Sequence, residues 1–481
     1  MYLFTQALSI LLQIFTFILH KKIKQLLSHI LPAAFIDSLT GLPGFDKDAF
    51  TDAHDNAKKV ISIRLNPSKA TSAIYDLPLQ ANVPWCAQGR YLSERPSFTS
   101  DPVFHGGAYY VQEASSMFLD HVIKTIIKNE NPPQRVLDLC AAPGGKTTLL
   151  AAALPQSFIV SNEVIKTRVG VLSENISKWG SDNVIVTNND PGDFRKLPGY
   201  FDLVVIDAPC SGSGLFRKDA DAIAEWSEAN VEMCSLRQKR IITDATGALK
   251  QNGYLIYSTC SYSRQENEDI CDWIIEKFAL KTVQISIDSS WGIVETVSEK
   301  YAAKGYRFYP DKVQGEGFFI ACFQQINEVE EYESLAGKIQ SAGKQTKAIA
   351  APFLTNPEEY ILSDYKEIVI ASLKKWEKET AATGKMLNVR KSGVAVGTVK
   401  GKDFIPHHEL ALSHLISTHI PYIDLEKEDA LKYLKRQDFI RETNHTGWTI
   451  CRYKGIHLGW IKVLPNRVNN YYPVNWRILK P

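Results

Sequence analysis

The sequence predicts an α/β protein with a parallel central sheet, and three observations carry that prediction. From about residue 135, short apolar runs alternate with helical stretches, the pattern of repeated βα units. A turn with adjacent glycines, Gly144 and Gly145, follows the first run and opens a helix. Acidic residues end several of the runs. At roughly 100–200 residues per domain, the length implies two to four domains. Hydrophobic residues make up 44% and charged residues 22% of the 481-residue chain, which excludes wholesale disorder, collagen and a polytopic membrane protein. The net charge is only +2, so a nucleic-acid partner has to be met by a local basic surface. Eight cysteines without a CxxC pair or a Cys/His cluster indicate reduced thiols rather than disulfides or zinc.

Residues 1–19 carry no charge, and His20, Lys21, Lys22 and Lys24 follow. The stretch has the length of a short membrane span but lacks the basic start of a secretory signal. Thr5, Gln6, Ser9, Gln13 and Thr16 dilute its apolarity. An anchor, a surface helix and an upstream extension from a misplaced start codon all fit. The extension is favoured because everything downstream reads as cytosolic. Residues 61–66 alternate and stop at Pro67, as a strand does. The central runs are 135–139, 158–163, 184–187, 201–207 and 253–260, and a last β-like run covers 317–323. Residues 327–350 shift to acidic and then to Gly, Ser, Gln, Lys and Ala, as a linker or solvated helix does. Beyond it, 358–378 reads as helical, and short strands around Gly-rich turns follow.

The loop from Asp138 to Thr148 contains Gly-Lys-Thr, so a phosphate-binding loop has to be weighed. That motif needs a glycine five residues before its Gly-Lys, and position 140 is Cys. Paired glycines still allow a ligand close to the backbone and the helix N-terminus. Glu163 ends the second run, where an acid can accept both ribose hydroxyls. Asn189 and Asp190 end the third and could meet an adenine edge. Asp207 ends the fourth. Ligands of open parallel sheets bind beyond the carboxyl ends of the strands, so these acids surround one crevice. They would repel a triphosphate but suit a ligand carrying a sulfonium and an ammonium, such as S-adenosylmethionine.

Two cysteines also stand at strand ends: Cys210 after Asp207-Ala208-Pro209, and Cys260 after Ser258-Thr259. Neighbouring strands would bring both thiols to the cofactor crevice. Each sits in a polar, turn-like context, unlike an inert core cysteine. Methylation of cytosine at carbon 5 fits two such thiols. Addition of a thiolate to carbon 6 makes carbon 5 enamine-like, splitting one difficult step into two easier ones. A base must then remove the carbon 5 proton, and Asp207 is one natural contact for ring nitrogen 3. The target base must be unstacked or unpaired. Chemistry alone does not rank the two thiols.

Over residues 60–325 the chain resembles the NOL1/NOP2/Sun family of RNA cytosine-5 methyltransferases. The resemblance is carried by residues 138–146, Glu163, Asp190, residues 207–214 and 258–261, with further matches at Pro84-Trp85, 104–116 and 307–319. It implies that Cys260 is the nucleophile and that Cys210 assists product release. It also implies that Cys140, Ala141, Ala142, Pro143, Gly144, Gly145, Lys146, Glu163, Asp190 and Asp207 bind S-adenosylmethionine, with no metal. Ser213 departs from the Glu expected in many relatives.

Residues 443–481 hold six Lys or Arg and no Asp or Glu, interleaved with Trp448, Tyr453, Trp460, Tyr471, Tyr472 and Trp476. Such a tail can neutralise phosphates and stack bases, although most of these rings should fill a small β-barrel core. Segments 406–413, 453–462 and 470–477 resemble the PUA-like extension of the F-type enzymes that act on small-subunit ribosomal RNA. The expected fold is therefore α/β. A Rossmann-like S-adenosylmethionine-dependent methyltransferase domain (116–326) includes one antiparallel strand near 317–323. An N-terminal α+β RNA-facing domain (23–115) precedes it. A linker (327–355) and a C-terminal RNA-binding region with a PUA-like domain (356–481) follow, and residues 1–22 are the apolar leader. The expected activity is cytosine-5 methylation of small-subunit (16S) ribosomal RNA by a cytoplasmic monomer. The partner is that RNA or the small subunit, not DNA, and not a membrane unless residues 1–22 are translated. The alternatives are the same chemistry on transfer RNA, an RNA-binding assembly factor whose methylation is dispensable, and methylation of a small molecule or protein on this common fold.

Overall fold

The computed structural model of the chain describes residues 31–56, 59–127, 131–330, 332, 337–401, 403–439 and 446–479. The apolar leader at 1–22 lies outside them. Among the described residues no helix is long and apolar enough to cross a membrane.

Two short helices, Ala33–Leu39 and Lys47–Asp55, precede a four-stranded antiparallel sheet. Its strands are β1 (Ile61–Leu65), β2 (Leu79–Asn82), β3 (Gly89–Leu92) and β4 (Tyr109–Val111), in the order β2-β3-β1-β4. β1 is the strand expected before Pro67. The helix Phe118–Ile127 then leads into the central sheet, burying Phe118, Val122, Ile123 and Ile126 along one face.

The central sheet is built on β5 (Arg135–Asp138), β6 (Phe158–Asn162), β7 (Val184–Thr187), β8 (Phe201–Asp207) and β9 (Leu249–Thr259). These five are parallel in the order β9-β8-β5-β6-β7. Their runs of Val, Ile and Leu are apolar on both sides because both faces are covered. Consecutive residues feed opposite cores. Val136, Ile159, Leu203 and Val205 face one, and Leu137, Val160, Val204 and Ile206 face the other. Each such side chain contributes about 1.5–3 kcal/mol by leaving water. The expected antiparallel strand is β13 (Phe318–Gln324), paired with β9. Beyond it the sheet continues antiparallel through β12 (Lys304–Phe308) and β11 (Val294–Val297), while β10 (Lys281–Thr282) also pairs with β13.

The C-terminal part corrects one expectation. Residues 358–378 are not a helix: β14 (Tyr360–Tyr365) and β15 (Ile368–Leu373) form an antiparallel hairpin across the turn at Lys366-Glu367. The apolar positions that suggested a helical face instead follow strand alternation, with Leu362, Val369 and Ala371 buried. The β-branched run Ile368-Val369-Ile370 favours that outcome. Lys366 takes the left-handed backbone that a two-residue hairpin turn needs. Helix begins only at Glu377, in Glu377–Met386. Residues 327–355 include the helix Lys344–Ala350.

After the edge strand β16 (Val389–Lys391), which pairs with β7, β17 (Val394–Lys400) and β18 (Asp403–Pro406) complete the hairpin's sheet. A last sheet orders β19 (Tyr422–Asp424), β20 (Gly447–Tyr453), β21 (Ile456–Leu464) and β22 (Arg467–Asn470) in sequence. Trp460, Tyr472 and Tyr453 are buried there, as expected of most of the tail's rings, while Tyr471 is exposed. Ile63, Leu92 and Tyr109 of the N-terminal sheet share one apolar core with Cys451, Ile456 and Leu458 of the last sheet.

Two buried charges test this architecture. Arg307 on β12 donates from Nε to Glu268 (2.6 Å) and from Nη1 to the Tyr262 carbonyl (2.7 Å), and both charged side chains are buried. Glu268→Ala leaves the guanidinium unpaired and should cost about 3–5 kcal/mol in denaturant unfolding. A loss below about 1 kcal/mol, the range of exposed pairs, contradicts it. Asp138, fully buried at the end of β5, has its carboxyl pushed up to about 7 by burial, against a hydrogen bond from Thr147 and the charge of Lys146. The folded protein therefore holds that proton more tightly than the unfolded chain. Its contribution is full below about pH 4 and is lost as pH rises to about 7. Asp138→Asn should remove this loss, so the ligand-free melting temperature of the variant gains on wild type across that window. Parallel melting curves contradict the assignment.

Candidate active site

β8 and β9 lie side by side with Asp207 opposite Ser258 in the register, and the Ala208 N–H donates to the Ser258 carbonyl at 2.8 Å. The two loops that leave these strands therefore start together. Cys210 and Cys260 meet with their sulfurs 3.1 Å apart. The contact with Cys260, then burial, push the Cys210 thiol well above its ordinary range. Either sulfur can donate in this contact. All eight cysteines are free.

The glycine loop joins β5 to the helix Gly145–Ala153, and Gly144 has a φ of 112° that side-chain-bearing residues rarely adopt. The Ala141 N–H donates to the Asn162 carbonyl at the end of β6 (2.8 Å). Carbonyls on the loop's other side are held by the following helix, Lys166–Trp179: Arg168 donates to Ala142 O (2.6 Å) and Asn175 to Pro143 O (2.9 Å). The first-turn amides of Gly145–Ala153 have no intrahelical partner and suit a carboxylate. Glu163 is buried just past β6, accepts from the Ile165 N–H (2.8 Å) and lies 3.4 Å from Arg168. Asp138 Oδ2 accepts from Thr147 (2.6 Å), while Oδ1 is buried with no hydrogen-bond partner among the described residues. A carboxylate-rich crevice around an open glycine loop fits S-adenosylmethionine, whose charged groups near the reacting methyl are cationic.

Asp207 is less free than its place in the sequence suggests. Lys146 Nζ lies 2.7 Å from one of its oxygens, and the Ser258 hydroxyl donates to the other at 2.8 Å. Burial works against the Lys146 ammonium, but Asp207 and Asp138 outweigh it and raise its pKa. Lys146 thus ties the glycine loop to the strand that leads to Cys210. Asp190 makes none of these contacts. It caps the short turn Pro191–Lys196 through the Gly192 N–H (3.0 Å), keeps its side chain about half exposed and lies 3.6 Å from Arg240.

The two thiol loops are stitched together. The Gly214 N–H donates to the Cys260 carbonyl (2.9 Å), and a Cβ at Gly214 would stand 2.4 Å from the Gly317 carbonyl. Ser213, the departure from the expected Glu, is buried and accepts from the Tyr262 N–H (2.9 Å). Two residues that sequence reading did not single out complete the site. Glu266 is buried behind both thiol loops. Arg64 on β1 reaches across to the helix Gly145–Ala153, donating to its Thr148 Oγ1 (2.6 Å) and Gly145 O (3.2 Å), and it also donates to Gln112 Oε1 (2.8 Å). The Glu266-Asn267-Glu268 run just past Cys260 was the available signal for the first. For Arg64 the sequence carried no signal: the alternation of Ile61, Ile63 and Leu65 puts it on the polar phase of the strand, yet it is buried. Among the described residues no group of three or more His, Cys, Asp or Glu is placed to hold a metal ion.

Comparison with known proteins agrees with this geometry along the chain. Family models match for the 16S rRNA methyltransferase RsmB/F (residues 125–324), the N-terminal domain of 16S rRNA methyltransferase RsmF (31–114) and the methyltransferase RsmF PUA domain (421–478). A ribosomal RNA small subunit methyltransferase F of Psychromonas ingrahamii is 30% identical over 480 residues, covering 92% of this chain and 96% of its own. Another, from an Enterobacter species, is 31% identical over 411 residues, covering 81% and 83%. The solved crystal structure of PH0851 has a TM-score of 0.54 and 25% identity, over 62% of this chain and 67% of that one. An alignment that runs nearly end to end at this identity settles membership: the chain belongs to the ribosomal RNA small subunit methyltransferase F family, enzymes that depend on S-adenosylmethionine.

Proposed function

We propose that this enzyme methylates carbon 5 of a cytosine in small-subunit ribosomal RNA through a covalent bond from Cys260 to carbon 6. The observation that carries the reading is the pair of thiols 3.1 Å apart next to Asp207, at the carboxyl ends of adjacent strands. S-adenosylmethionine supplies a methyl group on a positively charged sulfur. In this reading residues 140–146 hold its amino-acid end, Glu163 the ribose hydroxyls and Asp190 the adenine edge.

Cys260 Sγ, as thiolate, bonds to carbon 6, and the π pair of the 5,6 double bond becomes available at carbon 5. Carbon 5 takes the methyl group as the sulfonium–methyl bond breaks, its electron pair staying on the donor's sulfur. Nitrogen 3 takes a proton from solvent as charge builds on the ring, and its N–H donates to Asp207, which Lys146 and Ser258 hold in place. Water takes the carbon 5 proton, the double bond re-forms, the Cys260 thiolate is expelled, and nitrogen 3 returns its proton to solvent. Cys210 stands where that thiolate departs, and its S–H donates to the leaving sulfur. A Cys210 thiol pushed above its ordinary range stays protonated for that task.

The division into residues 23–115, 116–326, 327–355 and 356–481 belongs to the same proposal, with the first and last RNA-binding parts facing one substrate. Eight unpaired cysteines suit a reducing cytoplasm, and a monomer acting on the RNA or the small subunit completes the reading.

Transfer from labelled S-adenosylmethionine to separate pools of small-subunit RNA, small subunits and transfer RNA tests it. Wild type should yield 5-methylcytosine in the ribosomal pools. Cys260→Ala should abolish it, and Cys210→Ala should accumulate a denaturation-resistant protein–RNA adduct. Label in transfer RNA alone, or in no RNA while cofactor still binds, overturns the substrate assignment. Calorimetric titration checks the cofactor half: losing hydrogen bonds to a charged group costs about 1.5–3 kcal/mol, so Glu163→Ala should weaken S-adenosylmethionine binding about 10- to 100-fold. Unchanged affinity removes Glu163 from the cofactor site.

A further inference from the structure

We propose that Glu266 is the positioning residue that sets the distance between the two catalytic thiols, an inference that rests on the covalent reading above for its link to turnover. Glu266 is completely buried, yet its carboxylate is filled with donors. Oε1 accepts from the Ser211 N–H (2.8 Å) and the Gln238 amide (3.1 Å), and Oε2 from the Ser211 and Ser261 hydroxyls (2.5 Å each). Ser211 follows Cys210 and Ser261 follows Cys260. One carboxylate therefore grips the residue next to each thiol, and the two loops converge on a single anchor.

The anchor is itself fixed. The Tyr257 hydroxyl on β9 donates to the Glu266 carbonyl at 2.6 Å. Asn267 accepts from the Thr259 hydroxyl (2.6 Å) and donates to the Ser261 carbonyl (2.8 Å). The long helix Glu228–Thr246 forms the back wall. From it Ser235 donates to the Gln265 carbonyl (3.1 Å), and Gln238 also donates to the Pro209 carbonyl (3.0 Å). Glu266 precedes the helix Glu268–Phe278, whose N-terminal end favours a negative charge.

The outer sides of the two loops are held by packing. Phe216, beyond Cys210, lies edge-on to Phe35 (4.9 Å between ring centres), and Tyr262, beyond Cys260, lies edge-on to Phe50 (5.1 Å). Flexible rings fill space but do not set a sulfur–sulfur distance to a few tenths of an ångström. Four hydrogen bonds converging on two oxygens do. An uncompensated buried carboxylate is costly, so this one is stable only while both loops supply their serines. That requirement couples the loops.

Disulfide trapping reads the sulfur separation without RNA. Diamide accepts two electrons and two protons: both thiols lose a proton, one S–S bond forms, and the N=N bond is reduced to a hydrazine. The rate of the Cys210–Cys260 linkage, followed by mass spectrometry in the full-length enzyme, reports how often the sulfurs meet. Glu266→Ala should slow trapping at least about tenfold and lower kcat by about 10²-fold, while KM for S-adenosylmethionine moves less than about threefold. A general loss of structure would instead move all of them with the melting temperature. The Ser211→Ala/Ser261→Ala double variant cuts the same clamp from the other side and should slow trapping alike, which keeps the test open if Glu266→Ala does not fold. Trapping within about twofold of wild type in either folded variant overturns the proposal. Because trapping needs no RNA, a wild type that methylates no RNA would sink the function and leave this result standing.

Discussion

The pairing of β8 with β9 is the constraint on which the site depends. Asp207 faces Ser258 in that register, so an acid, a hydroxyl and the starts of two cysteine loops share one sheet edge. A slip of one residue would turn every side chain of a strand to the opposite face. Asp207 would leave Lys146, the loops would start out of step, and the sulfurs would not meet. Burial on both faces does not by itself fix that register: Leu203 and Val205 enter one core while Val204 and Ile206 enter the other. No shift of one residue would be marked by a polar face, so specificity lies in shape and in the ends of the strands. The Lys146–Asp207 contact extends the same constraint to the cofactor loop.

Charge is distributed with the same logic. The crevice collects Asp138, Glu163 and Asp207, and the described surroundings bring Lys146 and Arg168 to balance them in part. A cationic methyl donor is the ligand that profits from such a field. Arg452, Lys462 and Arg467 of the tail lie elsewhere, on a sheet whose core is continuous with the N-terminal sheet through Tyr109, Ile63, Cys451 and Leu458. Two parts proposed to face RNA are thus packed against each other, and β1 of the first also holds the helix Gly145–Ala153 through Arg64. Burial lowers that guanidinium to about 10, so it remains charged at neutral pH. The parts proposed to place the RNA and the cofactor share a structural member.

Much of this was legible in the sequence because the central strands are short, apolar and bounded by glycine, proline or acid. The runs at 135–139, 158–163, 184–187 and 201–207 became β5 to β8, and the two cysteines at strand ends did meet. The stretch 358–378 was misread because its apolar residues fit a helical face as well as a strand face. The deciding feature was the turn at Lys366-Glu367, which carries no glycine or asparagine to mark it. Glu266 and Arg64 escaped for another reason. Their importance comes from partners up to 84 positions away in the chain, and no local spacing announces a buried charge that distant donors or acceptors will satisfy. Asp207 was found, but its engagement by Lys146 was not, since the two are 61 positions apart in sequence.

The most direct test of the account is to locate the covalent bond. RNA adducts formed by the Cys210→Ala enzyme can be digested with nuclease and protease and the nucleotide-bearing peptide sequenced by mass spectrometry. The account predicts a methylated cytidine attached at Cys260 and at no other residue. A nucleotide on Cys140, Cys234 or any other side chain would contradict it, because the account assigns the bond to the thiol two residues after Ser258, the residue paired with Asp207.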